Sequence, residues 1–170
     1  MTDNENAILN STDHFNICFN FTMNEEASPN DYKSDTPGDR GGRTVMGIAE
    51  NANGKEMLDR LWPLSYNDAL VAVKPLYWHN YWLPIGGPRI ADVKYAVSLY
   101  DLGVNSGVDK ANYFKELCKT SDEICDCRIK MLNDFFPNGY IVDRGTKIER
   151  DILPDLKARI ERCRNFVVNT

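Results

Sequence analysis

Apolar side chains recur at helical spacing along most of the chain. The first such set follows the i, i+3, i+4, i+7 pattern of an amphipathic helix and consists of Phe15, Cys18, Phe19 and Thr22. Thr12 is a good N-cap, so the pattern predicts a helix from there to residues 24–26. Residues 1–11 are acidic and polar, and we expect them to form a flexible lead.

A long segment rich in turn-forming residues follows this helix. Pro, Gly, Asn, Asp and Ser are dense over residues 27–44, which predicts turns and a short hairpin. Residues 44–49, with the sequence T-V-M-G-I-A, then form a short strand or the entry to a helix.

The remaining chain is predicted to be helical. A capping box of Ser65 and Asp68 opens a helix that Pro75 should kink or shorten. The stripe Ile90, Val93, Val97 and Tyr100 predicts a helix that stops near Gly103. Two more helices are predicted around 107–118 and around 122–135. The last helix is predicted along Leu153, Leu156, Ile160, Cys163 and Val167, with Pro154 in its first turn. The fold class is therefore mainly α, with a small loop or β-hairpin excursion after the first helix.

Length and composition fit a single folded domain. The chain has 170 residues, of which 42% are hydrophobic and 26% charged, close to the averages of globular proteins. We expect one domain over residues 12–170, preceded by the lead.

Charge and hydropathy restrict the partners. The net charge is -5 and no Lys/Arg cluster is present, so we expect no nucleic-acid partner. No apolar run approaches the roughly 20 residues that span a bilayer. The first residues lack the basic and apolar regions of a signal peptide, so we expect synthesis in the cytoplasm and delivery by another component.

The five cysteines do not suggest a disulfide framework, because their number is odd and the chain is not cysteine-dense. Reduced thiols are expected. No CxxC pair accompanies His14 or His79, so we predict no metal site and no cofactor.

Glu25 is the candidate for acid chemistry, since it ends an amphipathic helix beside a glycine-rich loop. Burial at such an edge keeps a carboxyl protonated, as a general acid requires. Hydrolysis of a glycosidic bond also needs a second carboxylate, for which the loop offers Asp31, Asp35 or Asp39. The alternative is that Glu25 and Glu26 are solvated residues at a helix end and the aspartates ordinary turn formers.

An aromatic cluster of Tyr77, Trp78, Tyr81 and Trp82 is suited either to stacking on sugar rings or to core packing. Neither histidine has a Ser or Cys at a spacing that suggests a hydrolytic triad.

Four sequence blocks occur in an order that is known from one family. They are E-E-A-S-P-N-D at 25–31, D-R-G-G-R-T at 39–44, G-I at 47–48 and Y-D-L-G-V-N-S-G at 100–107. In this order the chain resembles the N-acetylmuramidases of glycoside hydrolase family 108, of the phage-type lysozyme superfamily, whose blocks are E-G-G-Y-x-N-D, D-P-G-G-x-T, x-x-G-I and F-D-x-x-V-N-S-G. The Tyr77-Trp78 and Leu83-Pro84 pairs resemble the Y-W and L-P pairs of that family pattern.

The resemblance implies a lysozyme-like α+β fold with a catalytic part over 12–107 and a C-terminal helical, peptidoglycan-associated part over 108–170. It places Glu25 at the catalytic glutamate, with Asp39 and Thr44 as its catalytic companions. Substrate-binding residues would be Asp101 and Asn105, at a helix end forming one wall of the cleft, with Tyr77 and Trp78. For Asp101 and Asn105 a helix end followed by a turn is the structural alternative.

The chain also departs from that pattern. Glu26 and Ala27 replace the two glycines after the catalytic glutamate, and Val45-Met46 replace two polar residues. A second carboxylate next to Glu25 either raises its pKa or takes over its role, or the site has lost activity.

The expected function is cleavage of the β-1,4 bond between N-acetylmuramic acid and N-acetylglucosamine in the bacterial cell wall, by a phage endolysin or a secreted antibacterial effector. Peptidoglycan glycan strands would be the substrate, with a holin or a secretion apparatus for delivery into the periplasm and an immunity protein as a further partner. A catalytically inactive wall-binding or structural module is the main alternative. A host-interaction protein that uses the Asp-rich loop is a third.

Overall fold

A computed structural model describes residues 3–36, 41–136, 141–143, 146–148 and 153–167, with side chains placed over 12–36, 41–136 and 153–167. Its helices are α1 Asp3–Glu26, α2 Glu50–Asn53, α3 Lys55–Leu61, α4 Tyr66–Tyr77, α5 Val93–Ser106, α6 Val108–Leu117, α7 Ser121–Phe135 and α8 Leu153–Arg164. Its strands are β1 Lys33–Ser34, β2 Thr44–Val45, β3 Ile48–Ala49, β4 Ile141–Asp143 and β5 Thr146–Ile148. The predicted mainly α fold with a small β excursion is confirmed.

Helix α1 is longer than predicted. It begins at Asp3 and not at the predicted cap Thr12, so residues 3–11 are also helical. Its apolar face is as predicted, since Phe15, Cys18 and Phe19 are buried. The helix ends at Glu26, within the predicted range.

The β excursion is a three-stranded antiparallel sheet in the order β1-β2-β3. Thr44 pairs with Ser34 on one side and with Ala49 on the other. Strands β2 and β3 are joined by the two-residue turn Met46-Gly47, so the segment T-V-M-G-I-A is a hairpin, followed at once by α2.

An aromatic core lies between α1, α4 and α5. Trp82 is fully buried, and Phe15 and Tyr100 lie with their ring centroids 5.9 and 6.0 Å from it. Gly87 packs on the face of this indole, where a Cβ would lie 2.1 Å from a ring carbon. Helix α4 carries the predicted Ser65 cap and ends at Tyr77, two residues after Pro75, where the π-helical turn Trp78–Trp82 begins.

Gly103 does not end α5, contrary to the prediction. It lies inside the helix and is buried, with the Cβ of Ala111 on α6 close to the position that its own Cβ would take. A small residue here allows the two helices to approach, and the chain turns only at Gly107, where φ is +95°.

Helix α8 packs against α5 and α7. Ile160 and Cys163 are buried in this contact, as their predicted stripe requires, whereas Val167 lies beyond the helix and is 72% exposed. Pro154 lies in the first turn, as predicted. The hairpin of β4 and β5 before α8 was not predicted.

Within the described residues, no helix combines the length and apolar character needed to cross a membrane.

Candidate active site

The end of α1 meets the turn of the small sheet. Met46 and Gly47 have φ angles of 47° and 77°, as the tight hairpin turns of antiparallel strands require. The hydroxyl of the buried Tyr77 donates a 2.8 Å hydrogen bond to the carbonyl of Met46. A Cβ on Gly47 would lie 3.8 Å from Oε2 of Glu26, so the turn is in contact range of this carboxylate.

Gly47→Ala should destabilise the fold by about 2–3 kcal/mol, because alanine is strained at positive φ and its Cβ would lie 2.7 Å from the Tyr77 hydroxyl. The free energy of unfolding in urea measures this loss. In a Tyr77→Phe background the same change should cost less, because the hydroxyl is absent. An equal cost in both backgrounds would show that contact with Tyr77 is not the cause.

Glu26 points toward the tyrosines of α4 and the following turn. Burial, and then the charge of Glu26, raise the pKa of Tyr77 and of Tyr81 above their usual value. The Glu26 side chain is 23% exposed, and its Oε1 forms an ion pair with Nη1 of Arg159 at 2.7 Å. Glu26 is therefore held between the sheet turn and α8.

A buried ion-pair network anchors Arg159. Its Nη2 lies 2.7 Å from Oδ1 of Asp101, which is fully buried, and Arg128 donates to Oδ2 at 2.9 Å. Thr22 on α1 also donates to Oδ1, at 3.3 Å. The network joins α1, α5, α7 and α8 and fixes the guanidinium that pairs with Glu26.

The charges of this network are stable at neutral pH. Burial alone would raise the pKa of Asp101, but Arg128 and Arg159 outweigh burial and the pKa lies below its usual value. Burial alone would lower the pKa of Arg159, and Asp101 and Glu26 raise it above its usual value. Both groups therefore stay ionised.

Glu25 lies on another side of the helix end and is paired separately. Arg162 of α8 donates to both of its oxygens, from Nε at 2.7 Å and from Nη2 at 2.5 Å. The Glu25 side chain is only 12% exposed, whereas that of Arg162 is 54% exposed. The hydrogen bond to Glu25 raises the pKa of Arg162. This pair, unlike that of Glu26, is open to solvent on the arginine side.

The remaining catalytic candidates that the structure describes lie in or next to the sheet. Asp31 and Asp35 are exposed loop residues, and Thr44 is half-buried at the start of β2. Asp39 lies outside the described residues. Thr44 thus belongs to the sheet whose turn meets Glu26.

The predicted substrate-binding residues do not form one surface. Asp101 must be corrected to a core residue, because its carboxylate is 0% exposed and occupied by two arginines, so a sugar cannot reach it. Asn105, one turn later, is exposed. Tyr77 is buried against the sheet turn, and Trp78 is half-buried with its ring edge-to-face against Phe15.

Sequence reasoning did not find the three arginines. Arg128, Arg159 and Arg162 lie more than 100 positions after the glutamates, and charged residues on a helix usually face solvent. The one available signal was the position of Arg159 next to Ile160 in the apolar stripe of α8. In the described part of the chain, no group of three His, Cys, Asp or Glu side chains is placed to hold a metal ion.

One comparison with known proteins is informative. The sequence model of the family described as glycosyl hydrolase 108 matches residues 19–107, more than half of the chain. The match covers the end of α1, the sheet and the helices up to α5, and it ends before α8. No curated protein and no solved structure matches the chain.

Proposed function

Because the chain belongs to the glycosyl hydrolase 108 family, we propose that it is a peptidoglycan hydrolase that cleaves the β-1,4 bond between N-acetylmuramic acid and N-acetylglucosamine. The observation that carries this proposal is that Glu25 and Glu26 end α1 within the matched residues, with Glu26 beside the turn of the small sheet and Glu25 paired to a solvent-exposed arginine. A carboxyl group at the edge of the core, next to an open loop, is the arrangement that acid-catalysed glycoside cleavage needs.

Glu25 is the proposed general acid, since it occupies the position of the catalytic glutamate in the family pattern. A general acid must carry a proton, whereas the two short contacts from Arg162 are typical of an ionised carboxylate. Because Arg162 is more than half exposed, its guanidinium can move into solvent far more easily than that of the buried Arg159. A bound glycan strand can therefore displace the guanidinium and allow Glu25 to take up a proton.

Glu26 is the competing acid. It lies nearer to the sheet turn, but its partner Arg159 is itself fixed by Asp101, so releasing Glu26 means disturbing a buried network. We therefore assign Glu26 to holding the turn and α8 in place. We propose Asp39 as the second carboxylate of the reaction, with Thr44 as a hydroxyl companion, as the family register implies.

A non-catalytic wall-binding module is the second candidate. The observation that favours it is that both glutamates are paired with arginines of α8, which lies outside the matched residues. An arginine paired with each carboxylate stabilises the fold whether or not the glutamates have a catalytic role.

Purified peptidoglycan separates the two candidates. We expect the wild-type protein to release soluble muropeptides with new reducing ends at N-acetylmuramic acid, identified by mass spectrometry after borohydride reduction. Sedimentation with insoluble peptidoglycan is measured in parallel. Retention without new reducing ends would support the wall-binding module. The absence of both retention and cleavage would instead support a host-interaction protein.

The biological setting is part of the proposal. A hydrolase made in the cytoplasm would reach the wall as a phage endolysin through a holin, or as an antibacterial effector through a secretion apparatus. An immunity protein would accompany the effector. Lysis of the producing cells on co-expression with a holin would support the endolysin. Lysis of neighbouring cells by a producer strain would support the effector.

A further inference from the structure

Two of the five cysteines lie side by side at the junction of α6 and α7. Cys118 is the residue directly after α6, Cys127 lies in the second turn of α7, and their sulfur atoms are 3.1 Å apart. A disulfide bond brings sulfur atoms to about 2.0 Å, so a small side-chain adjustment closes the gap. We infer that Cys118 and Cys127 are a dithiol that a small-molecule disulfide, such as oxidised glutathione, converts to an intramolecular disulfide.

The connection between the two cysteines is held in a fixed shape. Thr120 and Glu123 form a capping box at the start of α7, and the backbone amide of Lys119 donates to Glu123 at 2.6 Å. On the other side, the hydroxyl of Tyr95 donates to the carbonyl of Cys118 at 2.9 Å. The two thiols are therefore kept at contact distance, so that once Cys127 carries glutathione, attack by Cys118 is favoured over attack by a thiol of another molecule.

Cys127 is the thiol that an oxidant meets first. It is half-buried and lines a surface groove together with Tyr113, Leu117 and Met131, whereas Cys118 is only 2% exposed. Tyr113 and Leu117 are themselves exposed, so the groove is open to a small molecule.

The reaction balances as two exchanges. The Cys127 thiolate attacks one sulfur of oxidised glutathione and forms a mixed disulfide, releasing one glutathione thiolate. The Cys118 thiolate then attacks the Cys127 sulfur and releases the second glutathione. Two electrons pass from the protein to the oxidant, and the two thiol protons go to solvent or to the released glutathione. No other reactant is required.

The second exchange should limit the rate. Burial, the largest cause, raises the pKa of Cys118 above its usual value and still acts when Cys127 carries glutathione. Only the thiolate is nucleophilic, so closure of the disulfide should become faster as the pH rises.

The other three cysteines provide controls. Cys18, Cys125 and Cys163 are all fully buried. The Cys125 sulfur lies near the hydroxyl of Ser98 and the carbonyl of Ile160, and the Cys163 sulfur near Asp101. Cys125 is the most stringent control, because it lies two residues from Cys127 on the same helix.

The test is disulfide mapping of the folded, reduced protein after incubation with oxidised glutathione. Free thiols, counted after unfolding, should fall from the five of the reduced chain to three. Trypsin cleaves after Lys119 and Arg128, so the disulfide should join peptide 116–119 to peptide 120–128. The linked peptide should persist in Cys125→Ser and disappear in Cys127→Ser.

Three results would overturn the inference. They are five titratable thiols in the treated wild-type protein, a glutathione adduct on Cys127 that never exchanges, and a linked peptide that survives Cys127→Ser but not Cys125→Ser. None of these measurements depends on hydrolase activity, so the inference and the proposed function fail separately.

Discussion

Glu25→Gln should lower the rate at which reducing ends are released from peptidoglycan by about 10²–10⁴-fold, the usual contribution of a general acid. Glutamine keeps the size of the side chain but has no proton to give. The far-UV circular dichroism and the urea midpoint should change little, because the lost ion pair with Arg162 is solvent-exposed on one side. Initial rates on purified peptidoglycan, at equal protein concentration, measure the effect.

Glu26→Gln is the matched variant, since it makes the same substitution one residue further along. We expect it to keep measurable activity and to lose stability, because it leaves the buried Arg159 with one partner fewer. The opposite result, with activity lost in Glu26→Gln and kept in Glu25→Gln, would transfer the acid role to Glu26. Full activity in both variants would remove this pair of carboxylates from the mechanism.

Asp101→Asn should destabilise the protein by about 3–5 kcal/mol, the typical cost of leaving a buried ionic group without its partner. Arg128 and Arg159 both donate to this carboxylate, and Asp101 is fully buried. Water therefore cannot solvate the two guanidinium groups once the carboxylate charge is removed. Since the network joins α8 to α1 and α5, the variant should unfold at lower urea concentration, monitored by far-UV circular dichroism.

Asp126→Asn is the control for this prediction. Asp126 also pairs with an arginine, Arg164, at 2.6 Å, but its side chain is 72% exposed. The same substitution should therefore cost less than about 1 kcal/mol. If Asp101→Asn and Asp126→Asn lowered the free energy of unfolding by similar amounts, burial would not explain the contribution of Asp101 to stability.

The pKa of Asp101 gives the same network a pH dependence. Because its pKa is lowered in the folded state, the carboxylate stabilises the fold at every pH above its unfolded pKa, near 3.9. That stabilisation is lost as the pH falls below this value toward the lower folded pKa. The wild-type protein should lose this contribution on acidification, whereas Asp101→Asn, which lacks it at neutral pH, should show a shallower loss.

Local pattern was enough for most helices. The stripe of α1, the Ser65 cap of α4 and the position of Pro154 in α8 all follow from spacing and capping, which act within one or two turns of chain. The local pattern gave a wrong helix end at a glycine that lies in a contact between two helices. Glycine often ends a helix, but Gly103 continues α5 and faces α6, where its Cβ position lies 3.6 Å from the Cβ of Ala111.

For the candidate site, sequence by itself determined that two adjacent glutamates end an amphipathic helix before a glycine-rich loop, and that this order of blocks belongs to a glycoside hydrolase family. Only the tertiary structure decided that each glutamate has its own arginine, and that Asp101 is a buried anchor and not a sugar ligand. The reason is physical. Spacing along the chain fixes which face of a helix a residue occupies, but the partner of a charge is set by which distant element comes next to that face. Here Arg159 and Arg162 of α8, more than 100 positions away in the sequence, reach the end of α1.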